Sequence, residues 1–243
     1  MGLADLHIHS IFSHDGTATV PAILRRAKQV GLDIIAITDH DVIRGSLLAA
    51  ELAPQYGVQV ITGVEITTAA GDLLALNIRK LIPAGLPLME TVMRVGEQGG
   101  FCIAPHPIST AYSMHSLGAY AIRQILRDHD AARILIGIET YNAMVFDRSC
   151  NDDARILAER SDIAQTGSSD AHVVGAVGLG ATIFPGDNVS QLIAALWTGT
   201  TQVKKGAQWK APHIIASWAA HYLINKIRLP EKSTVPSPES LAA

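Results

Sequence analysis

The stretch Asp5-Leu6-His7-Ile8-His9, closing an apolar run that begins at Ala4, decides how the rest of the chain is read. In an extended strand, residues i and i+2 face the same side, so the imidazoles of His7 and His9 converge. The same grammar returns downstream. Apolar runs end in ITDHD at 37–41, GVEIT at 63–67, IAPHP at 103–107 and SSDAH at 168–172, where Asp170 and His172 share a face if the strand extends that far. In a parallel α/β barrel all strand C-termini open onto one rim, where the active sites of such barrels are built. Residues far apart in sequence are therefore expected to meet.

Working outward, apolar runs at 4–9, 34–40, 58–67, 73–78, 101–106, 134–140 and 163–170 read as strands. Segments 20–30, 44–56, 87–97, 117–129, 151–160 and 189–197 carry helical spacing. Gly31, Gly57 and Gly99 follow three of these helices, where glycine takes the left-handed conformation that ends a helix. Alternating strands and helices predict an α/β class built on a parallel sheet or barrel. The length of 243 residues suits one such unit, which runs to about 200 to 250 residues. The expected organisation is one domain over 1–205, a helical extension over 206–229 packed on the domain or on a partner subunit, and a disordered tail over 230–243. An oligomer interface is expected through the apolar stretch 211–227.

Composition excludes several function classes. With 19 Lys+Arg against 22 Asp+Glu and no long like-charge runs, there is no electrostatic footprint for duplex DNA or an anionic membrane. A small anionic substrate stays open, because local groups or metals can hold it. No run approaches ~18 apolar residues, and MGLADLHIH lacks the basic region and apolar core of a signal peptide. The expected location is cytoplasmic. Cys102 and Cys150 give no disulfide framework, and no glycine-rich phosphate loop points to a nucleotide cofactor.

Five histidines and several carboxylates recur at equivalent strand ends, and desolvating them without a partner would be costly. A metal cluster is the economical explanation. Imidazole and carboxylate without thiolate suit Zn, Mn or Fe. His14, His115, His129, His213 and His221 fall outside the pattern.

The ordered set HIHSIFSHDG at 7–16, TDHD at 38–41, GVEIT at 63–67, APHP at 104–107 and SSDAH at 168–172 resembles the PHP (polymerase and histidinol phosphatase) family of metal-dependent phosphoesterases. The resemblance spans residues 3 to about 205. It implies a distorted seven-stranded, TIM-barrel-like (β/α) barrel with two or three divalent ions (Mn, Fe or Zn) at its rim. It places His7, His9, Glu65 and Asp170 around a first ion, with Glu65 bridging to a second that also uses His106. A third would take Asp15, His40 and His172, with His14 as the competitor of Asp15. Many relatives supply a further histidine to the second ion from a segment resembling HLLAL. Here that segment reads Asp72-Leu73-Leu74-Ala75-Leu76, so a carboxylate stands in its place.

Such ions would generate a hydroxide near neutral pH and offset phosphate charge, which implies hydrolysis of a phosphate ester. Asp170 and His172 are the expected proton suppliers, and Asp39 an orienter of neighbouring imidazoles or a turn residue. Glu139, ending ILIGIET, is expected to orient a ligand. Arg44, Arg79, Lys80, His115, Asn142 and Arg148 are candidates for substrate contact or ordinary surface residues, Asn142 foremost. The leading substrate is a small phosphomonoester such as a nucleotide or nucleoside 3',5'-bisphosphate. Alternatives are 5'-3' trimming of a short RNA oligonucleotide, histidinol phosphate hydrolysis, or a non-catalytic metal-bound regulatory module.

Overall fold

The computed structural model describes residues 1–109, 114–145, 147–206, 216, 218–220 and 223. In chain order the regular elements are β1 (Gly2–Asp5), α1 (Val20–Gln29), β2 (Ile34–Ile35), α2 (Arg44–Leu52), β3 (Gln59–Val60), β4 (Gly63–Thr68), β5 (Gly71–Leu76), α3 (Leu88–Glu97), β6 (Phe101–Ala104), α4 (Ala119–Arg127), β7 (Leu135–Asn142), α5 (Ser149–Ser161), β8 (Ala164–Ser168), β9 (Gly180–Phe184), α6 (Val189–Trp197) and β10 (Gln202–Lys205). All six expected helices form. In α1, Pro sits in the first turn and Val20, Ile23, Leu24 and Ala27 are buried at i, i+3, i+4 and i+7, the stripe that seats a helix on a sheet.

The strands form two five-stranded sheets, ordered β10-β9-β1-β2-β3 and β4-β5-β6-β7-β8, rather than one closed seven-stranded barrel. Two features explain the departure. Only Ala69 and Ala70 separate β4 from β5, a connection that permits a hairpin and not a parallel crossover, which needs a dozen residues or more. β5 accordingly runs antiparallel to both β4 and β6. At the other edge β9 pairs antiparallel with β1, and β10 with β9. The expected strand 58–67 is broken between Val60 and Gly63 into β3 and β4, which lie in different sheets.

The sheets touch through two single parallel bridges, Ile8 to Ala171 and His40 to Glu65. Both lie in the histidine motifs, so the seam between the sheets is also where the polar strand ends gather. Three apolar clusters hold the layers together. One packs β4–β7 with α3 and α4, one packs α1 and α2 beside β1 and β2, and one lies between the sheets around Leu6, Leu74, Ile103 and Phe184. No helix among the described residues is long and apolar enough to cross a membrane. The tail 230–243 lies outside the described residues, as does most of 211–227. In that stretch residues 216, 218–220 and 223 are helical, and Trp218 packs against the α1/α2 cluster.

Candidate metal centre

His7 and His9 follow β1 immediately. His40 follows β2, His106 follows β6, and Asp170 and His172 follow β8, while Glu65 and Asp72 lie within β4 and β5. The short ladders thus end where the donor atoms begin. Glu65 is the hub. Its Oε2 lies 3.1 Å from His7 Nε2, 3.3 Å from His9 Nε2 and 3.4 Å from His40 Nδ1, and its Oε1 lies 3.1 Å from His106 Nε2. Asp170 Oδ1 lies 3.2 Å from His9 Nε2 and 3.4 Å from His7 Nε2. Asp15 Oδ2 faces His172 Nε2 at 3.0 Å and His40 Nε2 at 3.6 Å.

Four overlapping groups of donor atoms result: His7, His9 and Asp170; His7, Glu65 and His106; His9, Asp15, His40 and His172; and His40, Glu65 and Asp72. All nine residues expected as ligands are brought together, but Asp72 groups with His40 and Glu65 rather than in the set expected around His106. His14 is no equal competitor of Asp15. Its side chain is 77% exposed and its Nε2 lies 3.8 Å from Asp15 Oδ2.

The residues present fit divalent cations. Asp170 Oδ1 and Asp72 Oδ1 are buried without a hydrogen bond, and the Nε2 atoms of His7 and His9 lie 3.1 Å apart. Spacings of roughly 3.0–3.5 Å are those of ligands about 2.0–2.2 Å from one shared cation. The donors are nitrogen and oxygen. Both cysteines are buried and in none of the four groups, and burial pushes the Cys102 thiol up, away from the thiolate a metal needs.

Electrostatics point the same way. Burial acts to lower His9, yet Asp170 and Glu65 outweigh it and raise the imidazole to about 10. His7 is likewise raised against its burial by Asp170, Glu65 and Glu139. Burial acts to raise Glu65, and the charges of His7 and His40 with bonds from His106 and His7 hold it well below the usual carboxylate range. Asp72 differs. Burial and then the neighbouring Glu65 charge push it up to about 6.

A second tier orients these groups. Glu139, fully enclosed, accepts from His7 Nδ1 at 3.1 Å and from Ser168 Oγ on Oε1, and from the His106 backbone N–H at 2.7 Å and Asn142 Nδ2 at 2.8 Å on Oε2. The His7 proton is thereby fixed on Nδ1 and Nε2 is left facing Glu65, the arrangement by which a carboxylate orients a metal-binding imidazole. Asn142 also donates to Asp170 Oδ2 at 3.0 Å, and its own Oδ1 accepts from the N–H groups of Met144 and Val145. It is a buried bracket between two carboxylates and not a surface residue. Asp5 accepts from the N–H groups of Ser169 and Gly178 and so anchors the loop that carries Asp170. His106 and Asp170 have φ of +28° and +50°, a region that His and Asp tolerate better than most residues and that clusters at functional sites.

Of the two roles expected of Asp39, its hydrogen bonds fit the turn residue. Its carboxylate accepts from the Ser10 N–H at 2.6 Å and Ser10 Oγ at 2.7 Å, so it holds the loop 10–16 rather than an imidazole. A Cβ on Gly45 would collide with Asp39 Oδ2, and one on Gly16 with the Ser10 carbonyl, which makes both glycines conditions of that loop. Asp15 in the loop accepts from Ser13 Oγ at 2.6 Å, and Trp218 Nε1 donates to its carbonyl at 2.8 Å. Sequence reading passed over Asp5, Trp218 and the tightness of Glu139. For Asp5 the signal was present, since it stands at i−2 to His7 on the same face.

A mixed α/β scaffold whose strand ends gather His, Asp and Glu in clusters that fit divalent cations defines the class, that of metal-dependent hydrolytic proteins. The sequence matches the PHP domain over residues 5–173 and the PHP-associated region over 148–201. The chain belongs to the PHP family of metal-dependent phosphoesterases. An uncharacterised protein of Methanocaldococcus jannaschii is 36% identical over 161 residues, covering 62% of this chain and 88% of that protein. A 5'-3' exoribonuclease of Haemophilus influenzae is 29% identical over 186 residues, covering 72% of this chain and 66% of that protein. Among solved structures, a two-domain protein of Bacteroides vulgatus containing a predicted PHP-like metal-dependent phosphoesterase superposes with a TM-score of 0.68 at 20% identity, over 90% of this chain and 69% of that one. This last likeness is one of fold.

Proposed function

We propose that this chain hydrolyses small phosphate monoesters, a nucleotide or nucleoside 3',5'-bisphosphate first among them, at a centre of two or three divalent cations (Mn, Fe or Zn). The observation that carries the reading is the convergence of four imidazoles on the single carboxylate of Glu65. His7, His9, Glu65 and Asp170 would hold one cation, Glu65 and His106 a second, and Asp15, His40 and His172 a third, with Asp72 beside His40 and Glu65. Cations held there would supply a hydroxide nucleophile near neutral pH and offset the charge developing on a phosphate.

The protein's own groups do the rest. Glu139 and Asn142 keep His7, His106 and Asp170 aimed, so that no reorganisation is needed when substrate arrives. Asp15, His40 and His172 form the open edge, with side chains 17–22% exposed while those of His7, His9, Glu65 and Asp170 are at most 4% exposed. Substrate therefore approaches from that edge. His172 donates from Nδ1 to the Asp170 carbonyl at 2.9 Å and turns Nε2 to Asp15 Oδ2 at 3.0 Å, so it can hand a proton to a leaving alkoxide only while it holds no cation. Asp170 suits that task poorly. Burial acts to raise it, but His7, His9 and His172 hold it well below the ordinary range and so unprotonated.

A second reading, trimming of short RNA from the 5' end, is favoured by the 29% identity over 72% of the chain to an exoribonuclease. One experiment addresses both. The purified protein, supplied with Mn, is offered an aryl phosphate, nucleoside mono- and bisphosphates, sugar phosphates and short oligoribonucleotides. Turnover should vanish on chelation, return with Mn, and be absent in His7→Ala. Bound metal with no hydrolysis of any of these would leave the regulatory-module reading instead.

A further inference from the structure

Asp72 occupies the place where the centre departs from its expected ligand pattern, and its surroundings show an imidazole brought there by another part of the chain. Its Oδ1 is buried and accepts no hydrogen bond, an unusual state for a carboxylate oxygen and a costly one. The nearest titratable nitrogen is His115 Nδ1, at 3.6 Å. That separation is too long for a hydrogen bond. It is close to the roughly 3.4 Å between two ligands each about 2.1 Å from one tetrahedral cation.

His115 is held where this contact requires. The Asp72 N–H donates to the His115 carbonyl at 2.6 Å, tying the loop to β5. The next residue, Ser116, places its Oγ 3.0 Å from His106 Nδ1, which leaves His106 Nε2 facing Glu65 Oε1. A Cβ on Gly71 would meet the Ser116 and Leu117 backbone at 2.7–2.9 Å, so β5 and this loop are packed against each other at that point. The loop after β6 thus does two things for the same corner of the centre. It orients His106 and sets an imidazole beside Asp72. The His115 side chain is 58% exposed, so it can close onto a cation without disturbing the core.

We propose that His115 is a metal ligand, holding with Asp72 a divalent cation of the Mn, Fe or Zn type beside Glu65, so that this loop supplies the imidazole that β5 lacks. The inference rests on the metal-centre reading above. Its test reads metal directly, not turnover.

Wild type, His115→Ala, His115→Gln and Asp72→Ala are dialysed against limiting Mn and assayed for metal per chain by elemental analysis. Each is then titrated with Mn, and the cobalt-loaded proteins are compared by visible absorption. His115→Ala should weaken the cation beside Asp72 at least about 10-fold, lower the stoichiometry by one at limiting Mn, and shift the cobalt bands as an imidazole leaves. Asp72→Ala should remove the same equivalent. His115→Gln keeps a polar side chain able to donate to Asp72 but binds such metals poorly, so it should behave as His115→Ala. Unchanged stoichiometry and affinity in His115→Ala, or full recovery in His115→Gln, would overturn the ligand role while leaving the centre intact. A wild-type protein that binds no divalent metal would overturn both readings together.

Discussion

Replacing Glu139 by glutamine tests whether the centre depends on how its ligands are aimed. The carboxylate accepts four bonds, from His7 Nδ1, Ser168 Oγ, the His106 N–H and Asn142 Nδ2. Glutamine keeps the shape but has one accepting oxygen. With its NH2 group on the Oε1 side glutamine meets the His7 N–H while Ser168 Oγ turns to accept, and on the Oε2 side it meets the His106 N–H, so at least one bond to a charged group is lost, at about 1.5–3 kcal/mol. That loss is a sizeable part of the 5–15 kcal/mol that holds a typical domain together. At about 2–4 °C per kcal/mol for a chain of this size, even the lower figure moves Tm by about 3–6 °C. His7 also loses the acceptor that fixed its tautomer, or His106 the bond that fixed its backbone, so metal affinity should fall about 10- to 100-fold. Thermal unfolding of the metal-free protein and a Mn titration measure the two effects separately. Wild-type affinity together with a Tm change within about 2 °C would refute the claim that Glu139 orients the centre.

Three further outcomes follow from the same geometry. Trp218→Phe keeps the apolar packing and removes the bond to the Asp15 carbonyl, worth about 1 kcal/mol; at limiting Mn the cation held by Asp15, His40 and His172 should weaken several-fold, while circular dichroism stays unchanged. Chelator added in steps should remove cations from that exposed edge before those among His7, His9, Glu65 and Asp170, seen as a biphasic metal release. In the metal-free protein, His7 and His9 are raised above 6.5, the latter to about 10. Their stabilising contribution is complete below pH 6.5 and is lost as pH rises through the folded values, so Tm should fall toward alkaline pH. Bound metal needs neutral imidazoles and releases those protons, so the loaded protein should lack the fall, and its metal affinity should rise with pH.

The centre was legible where it is written as local pattern. His7 and His9, or Asp170 and His172, declare a shared face through a spacing of two, and the residues at strand ends needed only the general rule about rims to be brought together. The six helices were legible from their apolar stripes. The sheet was less so. β5 looks like any buried strand from its composition, and its direction is set by the two-residue turn before it, a signal of length rather than of residue type. β9 and β10 were invisible because GATIF is short and QVKK is a polar edge strand with largely exposed side chains, and neither alternates strongly. Glu139, Asn142 and Asp5 are legible only in three dimensions, because their importance lies in which N–H groups point at them.

These residues also explain how a chain with net charge −3 concentrates carboxylates at a site that must receive a phosphate. Asp15, Glu65 and Asp170 are each flanked by at least two imidazoles within about 3.6 Å, and in the metal-free protein His7 and His9, both raised, supply positive charge beside Glu65 and Asp170. Cations take over that charge when they bind, at positions the folded chain already holds apart. The left-handed backbone at His106 and Asp170 costs about 1–3 kcal/mol each, and persists because Glu139, Asn142 and Asp5 pin the surrounding groups. The deep part of the centre is therefore rigid before any ligand arrives. Its open edge rests on a loop closed by Ser10, Ser13 and Trp218, so in the proposed centre cations bound there would have the less constrained donors, and exchange and substrate entry would share one route.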